Sequence, residues 1–261
     1  MTDATTRDNR ATSCISVRDL AMAYGSHVLM RDMTFTVKQG DIFIIMGASG
    51  SGKSTLLRHL LGLNQPAYGS IYYGAQNFTT ADARDREPIL RNVGVLFQGG
   101  ALWSAMTLSE NIGLLLESYT HLSPAEIRQV ASLKLALVGL KGFEDYYPSE
   151  ISGGMQKRAG LARAMALDPG ILFFDEPSAG LDPMSARRLD ELILNLRDSF
   201  GITVVVVSHD LASIFAIGSN SIYLDVASQT ITASGPPEEL LARTQDPTLR
   251  SFLTRGGNPS R

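Results

Sequence analysis

The chain has a single cysteine, Cys14, and a single tryptophan, Trp103, among 261 residues. One thiol cannot close an internal disulfide, so the fold must be held by its core, and the usage fits a reducing compartment. Cys14 lies in a short apolar stretch and reads as a buried structural thiol rather than a nucleophile. No segment reaches the roughly 18 consecutive apolar residues of a membrane span; the apolar runs at 42–46 and 202–207 are strand-length. The N-terminus lacks the apolar centre of an export signal. Residues 1–13 are polar and read as a disordered leader. Charge of one sign is also missing: the net charge is -3, which leaves only a local basic patch as a route to nucleic acid. What is abundant is ordinary globular material, with 44% hydrophobic and 19% charged residues, enough for a sizeable core.

Patterning divides the chain. Residues 15–43 alternate apolar and polar positions, interrupted by the turn-like Tyr24-Gly25-Ser26, and predict antiparallel strands. Residues 41–46 predict a buried strand leading into a glycine-rich loop, then a helix over 54–61 closed by Gly62. A hairpin-like stretch covers 69–74. The pattern turns helical from 99 to 166, with one helix at 109–119. A second begins at the capping box Ser123-Pro124-Ala125-Glu126, and a third at Ser152. Residues 171–175 and 202–208 are continuous apolar runs, as in parallel strands buried on both faces. Between them Asp182-Pro183 opens a long helix that stops before Gly201. The expected class is α/β: a nucleotide core, an antiparallel β-lobe and an inserted helical lobe.

Chemistry concentrates in short motifs in one order. Gly47-Ala48-Ser49-Gly50-Ser51-Gly52-Lys53-Ser54-Thr55 is a phosphate-binding loop. Its glycines let consecutive backbone N–H groups face a phosphate, and the following helix adds its positive dipole end. Lys53 reaches the β- and γ-phosphates and the Ser54 hydroxyl ligates magnesium. Kinases, GTPases and helicases share this loop, so it does not fix the enzyme class. Asp175-Glu176 closes an apolar strand. Asp175 there can hold magnesium through water, and Glu176 can take a proton from an attacking water. Ile151-Ser152-Gly153-Gly154-Met155 makes a second helix N-terminus suited to an anion. Gln98 follows Phe97, and His209 lies in Ser208-His209-Asp210.

This order resembles the ATP-binding-cassette (ABC) ATPases, over about residues 15–240. The resemblance implies a phosphate-loop NTPase fold with a RecA-like core and β-lobe (14–98 and 165–245), a helical subdomain (99–164), and ATP with Mg2+ as ligands. It implies that Gln98 touches magnesium and the attacking water, and that His209 contacts the γ-phosphate. Ser152, Gly153 and Gly154 would bind the γ-phosphate held by a second copy in a head-to-tail dimer. Asp182 would reach across that dimer while also capping its own helix. Met155 stands where the family usually has glutamine. Tyr24 matches the aromatic that stacks on adenine; a core tyrosine is the plainer reading. Ala101-Leu102-Trp103 lies where the family docks a membrane permease, although Leu102 and Trp103 suit the core of the helical lobe equally.

Residues 95–103, 152–159 and 246–253 resemble, more narrowly, the MlaF-like ATPase subunit of MCE/Mla phospholipid transporters. That implies a multispan permease, an MCE-type lipid-binding protein, often a small STAS-domain protein, and a peripheral place on the cytoplasmic side of the bacterial inner membrane. The tail at 246–261 would reach a partner subunit. Other readings stay open: an ABC ATPase for another cargo (an amino acid, a metal chelate or a drug), or a soluble one of repair, translation or cluster assembly.

Overall fold

The computed structural model describes residues 13–25 and 27–254, the side chain of Tyr24 excepted. The chain opens with β1 (Ser13–Tyr24), β2 (His27–Lys38) and β3 (Ile42–Gly47), then α1 (Lys53–Leu60). Next come β4 (Tyr68–Tyr73), β5 (Gln76–Asn77), α2 (Ala83–Arg91) and β6 (Val93–Leu96). Three helices follow, α3 (Leu108–Tyr119), α4 (Pro124–Leu137) and α5 (Gly153–Ala164). The chain continues with β7 (Ile171–Asp175), α6 (Pro183–Phe200), β8 (Thr203–Val207) and α7 (Leu211–Ile217). It closes with β9 (Asn220–Asp225), β10 (Thr230–Gly235), α8 (Pro237–Arg243) and α9 (Pro247–Thr254).

A six-stranded sheet runs β10-β9-β3-β8-β7-β6 and a four-stranded sheet runs β2-β1-β4-β5. In the larger sheet β3 pairs in parallel with both β8 and β9, and β7 with both β6 and β8; only β9–β10 is antiparallel. Every residue of β3 and β8 is buried, which is why both read as unbroken apolar runs rather than alternating ones. The smaller sheet is antiparallel, and the β2 burial pattern alternates as its sequence does. Two cores result. One joins a face of the large sheet to α3–α7, and the other joins its opposite face to the small sheet and α1.

Helix starts follow local chemistry. Ser123 and Glu126 complete their capping box at α4. Thr107 and Glu110 form another at α3, one residue earlier than the apolar pattern suggests. Asp182 Oδ1 accepts from the N–H groups of Met184 and Ser185, each at 3.0 Å, to open α6. α2 gives no sequence signal, because it has no buried residue and carries Pro88 within it; an internal proline reads as a breaker. Ser13, placed at the end of a leader by its composition, opens β1 opposite Lys38; the rest of that leader and residues 255–261 lie outside the described residues. The tail is not wholly extended. α9 buries Leu249 and Leu253, and Phe252 packs on the Tyr223 ring at 5.2 Å.

Candidate functional site

The site starts where β3 delivers the chain to the glycine-rich loop. Gly52 has φ 87° and serves as the N-cap of α1, a left-handed conformation that a β-carbon would strain. No side chain caps α1, and Lys53 and Ser54 at its start line the cleft, a helix N-terminus of the kind that suits an anion. Lys53 Nζ donates to the carbonyls of Gly47 (3.0 Å) and Ala48 (2.9 Å). Burial pulls its ammonium pKa below the usual lysine value, and attraction to Glu176 and Asp175 opposes that pull. The Ser51 Oγ is buried without a hydrogen-bond partner. A buried hydroxyl without a partner is costly, and a phosphate oxygen in the loop would satisfy it. The residues present therefore fit a polyphosphate.

The opposite wall comes from the carboxyl ends of β7 and β8. Ser54 Oγ donates to Asp175 Oδ1 at 2.8 Å, bringing together two side chains far apart in sequence. Glu176 follows with φ 50°, a strained conformation of the kind that collects at functional sites. The His209 imidazole N–H at Nδ1 donates to Glu176 Oε1 at 2.7 Å, with Glu176 mostly covered (13% exposed) and His209 open (65%).

Lys53, Ser54, Glu176 and His209 line one cleft of about 690 Å3, with Gln98 in its wall; Asp175 stands beside it through its bond to Ser54. Ser54, Asp175 and Gln98 offer oxygen donors suited to a hard cation. Among the described residues no group of three or more His, Cys, Asp or Glu side chains could hold a metal alone. Magnesium is usually bound by one or two carboxylates together with substrate phosphates, and the Ser54 hydroxyl beside the Asp175 carboxylate is chemically suited to it.

Other expected residues stand apart. Ser152 is the exposed N-cap of α5, accepting from Met155 N–H at 3.3 Å, and Gly153 beside it is exposed. Gly154 packs near Ser185 at the start of α6, and Asp182 is exposed at that helix's cap. None of the four lines the cleft. The stacking expected of Tyr24 concerns a side chain outside the described residues. Leu29, Leu211, Ser251 and Phe252 also line the cleft; sequence reasoning gave Leu29 and Leu211 no role, and placed Ser251 and Phe252 in a segment expected to reach a partner. The two readings of 102–103 divide: Leu102 packs on the core, while Trp103 is 60% exposed.

Comparison with known proteins accords with this geometry. The family model described as ABC transporter matches residues 30–179. The chain is 38% identical over 239 residues to the intermembrane phospholipid transport system ATP-binding protein MlaF of Haemophilus influenzae, covering 92% of this chain and 89% of that protein. The corresponding Escherichia coli K12 protein is 36% identical over 246 residues, covering 94% and 90%. A Mycobacterium bovis protein called a probable ribonucleotide transport ATP-binding protein, mkl, is 39% identical, covering 92% of this chain; the chain spans 66% of that relative's length. The dimeric post-hydrolysis structure of the ATP-binding cassette MJ0796 bound to ADP and Pi superposes with a TM-score of 0.76 and 30% identity, covering 84% of this chain and 97% of that one. A phosphate loop at the end of a buried strand, a facing carboxylate pair and this likeness together place the chain in the ABC transporter family, as an ATPase cassette.

Proposed function

We propose that two copies of this chain bind two Mg-ATP molecules head to tail and use their hydrolysis to energise phospholipid transport between inner and outer membranes. The observation that carries the catalytic part is the single cleft uniting Lys53, Gln98, Glu176 and His209, with Ser54 bound to Asp175 beside it. The observation behind the paired arrangement is the exposure of Ser152, Gly153 and Asp182 away from that cleft. Ser152 and Asp182 are N-caps of α5 and α6, and Gly153 is the first residue of α5. A partner's γ-phosphate would complete them.

Within one subunit, the N–H groups of residues 47–55 cradle the phosphates, and Lys53 exchanges its two carbonyl acceptors for phosphate oxygens. Ser54 and Gln98, and Asp175 through water, would hold magnesium, which when bound would supply charge neutralisation to the phosphates. Glu176 accepts the proton of the attacking water. His209, already hydrogen-bonded to Glu176, orients that carboxylate and offers its other nitrogen to the transferring group. Lys53 and His209 together stabilise the charge that develops on the γ-phosphoryl oxygens.

Among the described residues no helix is long and apolar enough to cross a membrane. Work at a membrane then proceeds through a docked permease, with this subunit peripheral on the cytoplasmic side of the bacterial inner membrane. A second cleft of about 520 Å3, between α2, β6 and α3 and bordered by Leu90, Phe97, Trp103 and Tyr119, suits that docking. Asn111 is fully buried and holds the loop that presents Trp103, bonding the Trp103 N–H at 2.7 Å and its carbonyl at 3.1 Å. The lipid cargo, an MCE-type protein and a small STAS-domain partner rest on the likeness to the MlaF proteins. The mycobacterial relatives favour a second reading, transport of a ribonucleotide.

The deciding experiment is affinity purification of the full chain from detergent-solubilised membranes, with mass spectrometry of proteins and lipids. A multispan permease with an MCE-type protein and phospholipid is the expected result. A permease with a soluble solute-binding protein would change the cargo, and soluble partners alone would overturn the transport reading.

A further inference from the structure

One face of α5 is built against the Gln98 segment. Lys157, Gly160 and Arg163 are spaced i, i+3 and i+6, so they share that face. Lys157 Nζ donates to the Gln98 carbonyl. Arg163 donates to the carbonyls of Ala101 and Gly100. At Gly160 an added β-carbon would lie 2.8 Å from the Gly100 carbonyl oxygen, so glycine permits the close approach. The loop needs such support: Gly100 has φ 73° and Ala101, without glycine's freedom, φ 51°.

Lys157 is the unusual member. It is only 7% exposed, and a buried ammonium requires acceptors and compensating charge. Its acceptor is main chain, which any residue at 98 would offer, and attraction to Asp175 and Glu176, at the end of β7, partly offsets the cost of its burial. The same helix begins at Ser152. Five residues at 1.5 Å rise each put Lys157 only about 7–8 Å along the axis from that cap.

We infer that Lys157 is a positioning residue: it clamps the main chain of Gln98 to α5, so that the Gln98 side chain meets magnesium and water in register with the Ser152 loop. The inference rests on the reading of the cleft given under Proposed function. In the head-to-tail pair, Gln98 serves its own subunit's nucleotide and Ser152 the partner's. Lys157 then joins the two sites through less than two helical turns.

The test uses the full-length chain, alone for equilibrium ATP binding and in its purified membrane complex for turnover. Lys157→Met removes the donor at similar volume, and Lys157→Arg restores one. In EDTA, Lys157→Met should bind ATP with wild-type affinity, which also reports a folded cleft. With Mg2+, kcat should fall by about tenfold, or half-maximal turnover should require about tenfold more Mg2+, as for losses of outer-shell ligand support. KM for ATP should change little, and Lys157→Arg should recover most of the activity. Combined with Gln98→Ala, Lys157→Met should add no further loss, because both changes act through one contact. Wild-type turnover and Mg2+ dependence in Lys157→Met, losses that add to those of Gln98→Ala, or loss of ATP binding in EDTA would each overturn the inference. If the wild-type chain itself fails to bind Mg-ATP, the reading of the cleft fails first and this inference with it.

Discussion

Replacing Asp190 by asparagine should make the protein more stable at neutral pH. Asp190 lies on α6 and is 7% exposed; its Oδ2 accepts from Ser213 Oγ on α7 at 2.8 Å. Burial raises the carboxyl pKa from the ordinary 3.8 to about 6; the Ser213 bond lowers it, and the charges of Asp210 and Glu191 push it up further. At about 1.4 kcal/mol per pH unit that rise is worth roughly 3 kcal/mol, and local relaxation reduces the expected effect to about 1–2 kcal/mol. Because the folded-state pKa is raised, the folded chain keeps a proton that the unfolded chain releases between about pH 4 and 6. Stability from this group is therefore greatest below pH 4, declines as pH rises to about 6, and is flat above. Asparagine stays neutral throughout and still offers an oxygen to Ser213. The variant should exceed wild type by about 1–2 kcal/mol at pH 7 and match it near pH 4. Urea unfolding of both proteins by circular dichroism across that range measures the difference, and contributions from carboxyls not coupled to Asp190 cancel in it. A variant less stable than wild type at pH 7, or a difference independent of pH, would refute the reasoning.

Further outcomes are expected. Glu176→Gln should retain ATP binding and accumulate a dimer with ATP, read by size-exclusion chromatography; hydrolysis at the wild-type rate would remove Glu176 from the catalytic role. Leu253→Ala, which empties a buried position on α9, should cost about 2–4 kcal/mol. Unchanged thermal stability would mean that α9 does not rest on its own core. Trp103→Ala should leave stability within about 0.5 kcal/mol, as at exposed positions generally, while permease recovery in the purification drops. Full recovery would move the docking site away from the cleft beside α3.

Legibility in the sequence followed the range of the physics. The glycine-rich loop, the capping box at Ser123, the Asp182-Pro183 start of α6 and the unbroken apolar runs of β3, β7 and β8 are decided within a few residues. They could be read directly, and with them the class of the fold. α2 was hidden because nothing on it is buried and Pro88 interrupts it. The segments from α7 to α9 are short and take their conformation from packing rather than from a long periodic stripe. The cleft residues Leu29 and Phe252 carry no chemistry of their own and enter the site only by placement.

What the sequence determined alone is therefore the set of reactive groups and the local backbone that bears each one: a loop whose glycines admit left-handed φ, a carboxylate pair at a strand end, and polar caps on α5 and α6. Only the tertiary structure decided which groups meet. The strand order places β8 between β3 and β7, and parallel pairing sends the ends of all three to one edge. That register, set by burial of both sheet faces and by the crossover helices, brings Ser54 to Asp175 and His209 to Glu176. It leaves Ser152 and Asp182 exposed and away from the cleft, and lays Lys157 against Gln98. These contacts join distant residues through packing, and local propensity carries no information about them.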